Sequence, residues 1–268
     1  IFMVAQKGLS AFLKDGVSVV EFFTGTKWDL ANTAKNGLPY TGALPLIVTS
    51  FAVMMLSTLI ALPIAIGSAI FAVEISPKFG SKIFQPLIEL LTGIPSVVFG
   101  LIGFHVVVGL MKSVFHVSTG LGILPGAVVL AVMILPIITS VSRDIFMQTP
   151  RLQEEAAIGL GATKWEMIKL AVLPFGKSGI VSASMLGLGR ALGETMAVLM
   201  ILSPGLTYSI KLLRASQNQT IAANIAAQYP EADPNIGVPV LIGTGLVLFV
   251  ITFLVNFVAR KITEKASA

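Results

Sequence analysis

The chain has no cysteine. A disulfide frame and a thiolate site for metal or redox chemistry are therefore both excluded. It has only two histidines, His105 and His116. Neither has a partner at ligand spacing, so no metal site is expected. Charge is scarce as well. Only 12% of the 268 residues are Asp, Glu, Lys or Arg, against about 25% in an ordinary soluble protein. The net charge of +5 is modest. Its basic residues sit mostly between apolar runs instead of clustering on a soluble face, so nucleic acid is not expected as a partner.

What is abundant is apolar. Hydrophobic residues make up 55% of the chain, and the mean hydropathy is +0.90. This composition predicts an all-α, polytopic membrane protein embedded in a lipid bilayer. A spanning helix needs about 20 mainly apolar residues. Five stretches qualify: 45–73, 86–111, 121–141, 179–202 and 236–258. Ile1–Leu13 is apolar but too short to span, and no cleavable signal peptide is legible. Residue 1 is isoleucine, so an earlier segment is expected, which would bring the spans to six. Basic residues follow the first span (Lys78, Lys82), the third (Arg143, Arg151, Lys164, Lys169, Lys177) and the fifth (Arg260, Lys261, Lys265). Placing these three regions in the cytoplasm lets all five spans alternate, as the positive-inside rule asks. The loop 203–235 then lies on the outer side.

Proline occurs within several spans, as in Leu62-Pro63 and Leu135-Pro136. Most of these are ordinary membrane-helix usage. Thr92-Gly93-Ile94-Pro95-Ser96 differs, because glycine, proline and two hydroxyls are adjacent. A helix break there frees backbone groups that need partners in protein or water, and broken helices are where transporters place substrate sites.

The loop at 142–178 predicts a helix–turn–helix hairpin. Thr149-Pro150 reads as an N-cap with proline at the first helical position. A short helix, Arg151–Leu160, is stopped by Gly161. Thr163-Lys164-Trp165-Glu166 then has the spacing of a capping box, starting a second helix toward Pro174. Within this loop stand Glu155-Ala156-Ala157, Gly161 and Leu173-Pro174. The run resembles the EAA signature of ABC-importer permeases, E-A-A-x3-G-x9-I-x-L-P, with Ala171 where the isoleucine usually stands. The resemblance implies a coupling helix that docks on an ATPase subunit, with Glu155, Ala156, Ala157 and Gly161 at the joint. It also implies one transmembrane domain over 1–268. Phe175-Gly176-Lys177-Ser178 imitates a phosphate-binding loop, but that motif needs a glycine where Ala171 stands and a preceding strand. ATP binding by this chain is therefore not expected.

The run GLGRALGETMAV at 187–198 places Arg190 and Glu194 in an apolar span. Counted from residue 179, Arg190 is roughly 16 Å deep, near the middle of a ~30 Å core. An arginine there costs roughly 2.5–3.5 kcal/mol. On a continuous helix Glu194 lies on the same face, at i+4, though Arg-then-Glu is the weaker orientation. Gly189 and Gly193 form a G-x-x-x-G pair suited to helix packing. Two readings stay open on the residues alone. One is a structural clamp in an ATP-independent channel or scaffold. The other is an oxyanion site, in which the guanidinium fork holds the anion and Glu194 weakens the field enough for release. Thr195, Thr92 and Ser96 would add neutral donors.

LGLGRALGETMAV, with LPLIV at 44–48 and PLIELLTGIPSVVFG at 86–100, resembles the PstC family of phosphate-importer permeases. The likeness covers about residues 8–262. It implies that Arg190 and Glu194 act in phosphate translocation, and that the chain is a transport subunit and not itself an enzyme. It implies four kinds of partner: a PstA-like second permease, a PstB-like ATPase dimer, a PstS-like phosphate-binding protein and the bacterial inner membrane. The chain itself is expected to hold no cofactor, with ATP and Mg on the ATPase subunits. Another oxyanion, such as molybdate or sulfate, remains the alternative cargo. In the outer loop, Thr220–Tyr229 reads as a short helix ended by Pro230, and Trp28 as part of a docking face or an interfacial belt.

Overall fold

Backbone polar groups surrounded by lipid can be satisfied only within helices or closed barrels, and helices form here. The computed structural model describes the chain except residues 1, 15, 34–36, 118, 203–218 and 268. The chain starts with α1 (Phe2–Leu13) and α2 (Val19–Thr24). A short antiparallel hairpin, β1 (Trp28–Thr33) and β2 (Pro39–Thr41), pairs Trp28 with Thr41 and Asp29 with Tyr40. α3 (Leu44–Ile70) extends through a π-helical turn, Phe71–Ile75. After α4 (Pro77–Phe79) and a second π-helical turn comes α5 (Gln85–Gly93). α6 (Ser96–Ile102) runs through the π-helical turn Gly103–Val107 into α7 (Val108–Phe115), and α8 spans Ile123–Phe146. The hairpin helices are α9 (Arg151–Gly159) and α10 (Lys164–Met167). α10 passes through the π-helical turn Ile168–Val172 into α11 (Leu173–Gly193). α12 (Met196–Ile201), α13 (Ile221–Gln228) and α14 (Gly237–Ser267) complete the described chain. The β-hairpin was not anticipated, and it leaves the all-α class intact.

Five helical stretches are long and apolar enough to cross a membrane: Leu44–Ile75, Ser96–Phe115, Ile123–Phe146, Lys164–Gly193 and Gly237–Lys261. Their number matches the sequence reading, but the second and fourth spans shift. The second starts at Ser96 because the chain breaks at Ile94-Pro95. The fourth starts at Lys164, not residue 179, and ends at Gly193, not 202. Pro174 does not stop it. The wider π turn just before that proline relieves the clash its ring would make with the preceding turn. Large apolar side chains remain exposed along the spans, among them Leu59, Val106 and Phe253. Exposed apolar surface on this scale marks a lipid-facing protein.

The chain divides into two compact units, each built from three segments. Unit 1 comprises Ile1–Ser57, Pro95–Leu130 and Ala191–Leu254. Its core joins Phe22, Trp28, Leu46, Ile221, Val240 and Leu241. α1 lies close on α14, where a Cβ on Gly8 would come 3.2 Å from Gly243 Cα. Unit 2 comprises Thr58–Ile94, Ala131–Arg190 and Val255–Ala268. Its core gathers Ala69, Ile70, Phe146, Met167, Ile168 and Val172, with Ala157 of α9 packed against them.

Candidate functional site

Unit 1 contains two half-helices that each begin after a break. At the first, Ile94 and Pro95 adopt extended backbone (ψ 129° and 140°) and α6 starts at Ser96. A residue before proline is pushed out of the helical region, and Gly93 adds no side chain to oppose the bend. Pro63 and Pro136, without such neighbours, lie inside uninterrupted helices. At the second break, Glu194 and Thr195 are non-helical and α12 starts at Met196. α6 and α12 pack side by side in parallel. A Cβ on Gly100 would come 2.9 Å from Ala197 Cα and 3.0 Å from Met200 Sδ, and Gly103 faces Ile201. This packing brings the starts of both half-helices, with Ser96, Glu194 and Thr195, to one end of the pair.

Glu194 is buried, and its Oε1 accepts from the Ala197 N–H at 3.2 Å. It therefore caps α12, because Thr195, which holds the cap position, makes no side-chain cap bond. The Thr195 hydroxyl instead donates to Gly193 O at 3.2 Å. The break changes the expected charge pair. Since the helix ends at Gly193, Arg190 and Glu194 do not share a continuous i, i+4 face. Among the described residues the one ion pair is Arg143–Asp144.

Arg190 stands in unit 2, in the last turn of α11. Its Nε is buried and has no hydrogen-bond partner. The helical stretch that carries it is 30 residues, about 45 Å at 1.5 Å per residue. That exceeds a ~30 Å core, so a depth counted from residue 179 loses its origin. The break three residues on is the firmer landmark. Thr92, also in unit 2, donates its hydroxyl to Ile88 O at 2.8 Å. It lines a cleft with Glu89 and Ser140 in which Arg190 takes no part. The protons of Thr92 and Thr195 are thus directed at backbone carbonyls, so either would have to turn before donating to a ligand.

The glycines of this run divide differently from the sequence expectation. A Cβ on Gly189 or Gly193 would meet nothing within 4 Å, so neither packs against this chain. Gly187, Gly179 and Gly176 form the real seam in unit 2. Added Cβ atoms there would strike Ile138, Ile145 and Phe146 of α8. Their spacing, with buried Ala183 between them, was readable in the sequence as a small-residue stripe on one face of α11.

The hairpin in unit 2 forms largely as expected. Gly161 has φ +89°. Its N–H donates to Ile158 O at 2.9 Å, and that of Ala162 to Ala157 O at 3.1 Å. These two bonds close a Schellman motif, for which glycine is the residue that accepts the left-handed backbone. The capping box is present: Glu166 N donates to Thr163 Oγ1, and Thr163 N to Glu166 Oε2 at 2.8 Å. Glu155 and Ala156 are exposed, whereas Ala157 turns inward onto the unit 2 core. The start of α9 is corrected. Pro150 holds the cap position, and Thr149 is buried with an unpartnered Oγ1. The GKS imitation lies inside α11.

In unit 1, α13 is capped by Thr220, whose Oγ1 accepts from Ala223 N. Trp28 is not a surface residue. It is buried, and its Nε1 donates to Gln228 Oε1 at 2.9 Å, tying the β-hairpin to α13. Of the expected outer loop, residues 203–218 lie outside the described ones.

Comparison with known proteins adds to this geometry. Residues 61–267 match the family described as binding-protein-dependent transport system inner membrane component. The phosphate transport system permease protein PstC 2 of Mycobacterium tuberculosis is 39% identical over 263 residues, covering 90% of this chain and 79% of the relative. The probable ABC transporter permease protein YqgH of Bacillus subtilis is 39% identical over 267 residues, covering 97% of this chain and 82% of the relative. A crystal structure of a bacterial ABC transporter involved in import of the acidic polysaccharide alginate shares the fold. Its TM-score is 0.64 at 18% identity, covering 97% of this chain and 89% of the other.

Proposed function

Because this chain belongs to the binding-protein-dependent transport system inner membrane components, a family of multi-pass ABC-transporter permeases, we propose that it is the PstC-like permease subunit of an ATP-driven inorganic phosphate importer. The observation that carries the substrate is the similarity, along 90% of the chain, to a phosphate transport permease. The local geometry is in keeping with it. A guanidinium with an unpartnered buried Nε beside a helix break is a costly arrangement unless an acceptor reaches it, and an oxyanion fits its planar fork. In this reading Arg190 holds the anion in transit. Glu194 holds the start of α12 in place and limits the positive field, so that the anion leaves.

The partners follow from the same reading. A PstA-like permease completes the pathway, and a PstS-like binding protein delivers phosphate to the outer side. A PstB-like ATPase dimer, carrying ATP and Mg, docks on the hairpin through Glu155, Ala156 and Gly161. Ala157 joins α9 to the inner ends of α3 and α8, so a push on α9 moves a packed block instead of a loose loop. The test is reconstitution of the four-component assembly in liposomes with radiolabelled phosphate. ATP-dependent uptake that excess sulfate or molybdate does not suppress is the expected result. Equal suppression by either anion would overturn the phosphate assignment.

A further inference from the structure

Unit 2 has a second polar concavity, at the hairpin. It is a cleft of about 530 Å³ lined by Glu74, Arg143, Thr149, Arg151, Glu154 and Lys164. It lies between the π turn that ends the first span, the last turn of α8 and the start of α9. Two of these polar side chains are deeply placed: Glu74 and Thr149 are each 6% exposed. Thr149 Oγ1 has no hydrogen-bond partner. The charges around the cleft do not neutralise one another by contact. Among the described residues the one ion pair joins Arg143 to Asp144, which is not part of the lining. Three cations and two carboxylates therefore face a common space without touching.

A buried carboxylate and a buried hydroxyl are both unfavourable unless partnered. A ligand able to satisfy this set must accept from guanidinium, ammonium and hydroxyl groups and also donate to a carboxylate. Hydrogen phosphate does both. Its oxygens accept charge-assisted hydrogen bonds from Arg and Lys, and its O–H can donate to Glu74 or Glu154. Sulfate at neutral pH has no proton to give, so the same carboxylates repel it, and discrimination follows from the repulsive element. A phosphodiester headgroup lacks that proton as well. We infer that this cleft is a hydrogen-phosphate site on the hairpin side of the permease, separate from Arg190, where phosphate bridges the end of the first span and the coupling helix. The inference rests on the phosphate reading above.

The test is calorimetric titration of inorganic phosphate into the permease–ATPase complex, without binding protein, in phosphatidylcholine nanodiscs. The expected result is saturable phosphate binding that sulfate does not displace. Thr149→Val and Arg151→Gln should each weaken it at least tenfold, while Thr149→Ser restores it. Binding lost in Arg190→Ala but kept in Thr149→Val would overturn the inference by assigning all binding to the translocation site. So would absence of wild-type binding in a preparation that transports phosphate. Displacement by sulfate would overturn the role of the carboxylates. Failure of phosphate transport itself, scored in liposomes, would instead fall on the function proposed above. Nanodiscs containing phosphatidylglycerol provide the lipid control: loss of phosphate binding there would assign the cleft to a headgroup.

Discussion

The carboxylate of Glu194 accepts a hydrogen bond from the N–H of Ala197, 3.2 Å away. That bond closes the start of α12 just beyond the break, and the same Ala197 packs on Gly100 of α6. An acid that the sequence offers as a charge partner for arginine thus has a structural duty of its own. Glu194→Ala is expected to lower the stability of the complex by about 1 kcal/mol, the usual scale of a lost N-terminal cap. Glu194→Gln keeps an acceptor oxygen and should recover most of that loss. Denaturation curves of the purified complex measure both.

Gly100 admits no side chain. A Cβ there would lie 2.9 Å from a backbone atom, Ala197 Cα, so the two half-helices would have to separate. Gly100→Val is expected to destabilise the complex by about 1–3 kcal/mol, the range for overpacking a well-fitted contact. Thermal unfolding in nanodiscs reads this directly.

The glycines of α11 should divide sharply. Gly187→Leu drives atoms into Ile138 and is expected to cost about 1–3 kcal/mol. Gly189→Ala meets open space in this chain and replaces a flexible helical residue, a change worth roughly 0.5–1 kcal/mol in favour of the helix. Equal destabilisation by both, in the chain purified alone, would contradict the assignment of the packing seam.

At the hairpin, Gly161 adopts φ +89°. Gly161→Ala is expected to cost about 1 kcal/mol, because an L-residue resists that backbone. Gly161→Pro cannot adopt it and also removes the N–H that bonds Ile158 O. The expected outcome is an assembly whose ATP hydrolysis no longer drives uptake. Coupled phosphate transport at the wild-type ratio of phosphate to ATP would refute the role given to the hairpin.

The parts of the molecule governed by local rules were legible in the sequence. The five spans, the break at Ile94-Pro95, the capping box at Thr163 and the turn at Gly161 all follow from short-range chemistry: apolar length, proline next to glycine, a hydroxyl three residues before a glutamate. What was not legible depends on longer-range packing. The π turn before Pro174 let one helix run from Lys164 to Gly193, where proline and polar residues implied a later start. The break at Glu194 has no proline to announce it, and it removed the assumed shared face with Arg190. Trp28 reads as an interfacial aromatic until its contact with Gln228, two hundred positions away, buries it. G-x-x-x-G at 189 and 193 was the obvious packing motif, yet the neighbouring stripe at 176, 179 and 187 meets α8.

Phosphate translocation, as proposed, requires that Arg190 contact the transported anion. That contact is tested most directly by ATP-dependent uptake of radiolabelled phosphate into liposomes carrying the Arg190→Ala complex, with subunit composition checked by mass spectrometry. The expected result is full assembly with uptake reduced to background, and a severe loss for Arg190→Lys, whose ammonium lacks the planar fork. Uptake near the wild-type rate, or a complex that no longer assembles, would contradict the claim and leave Arg190 a structural clamp.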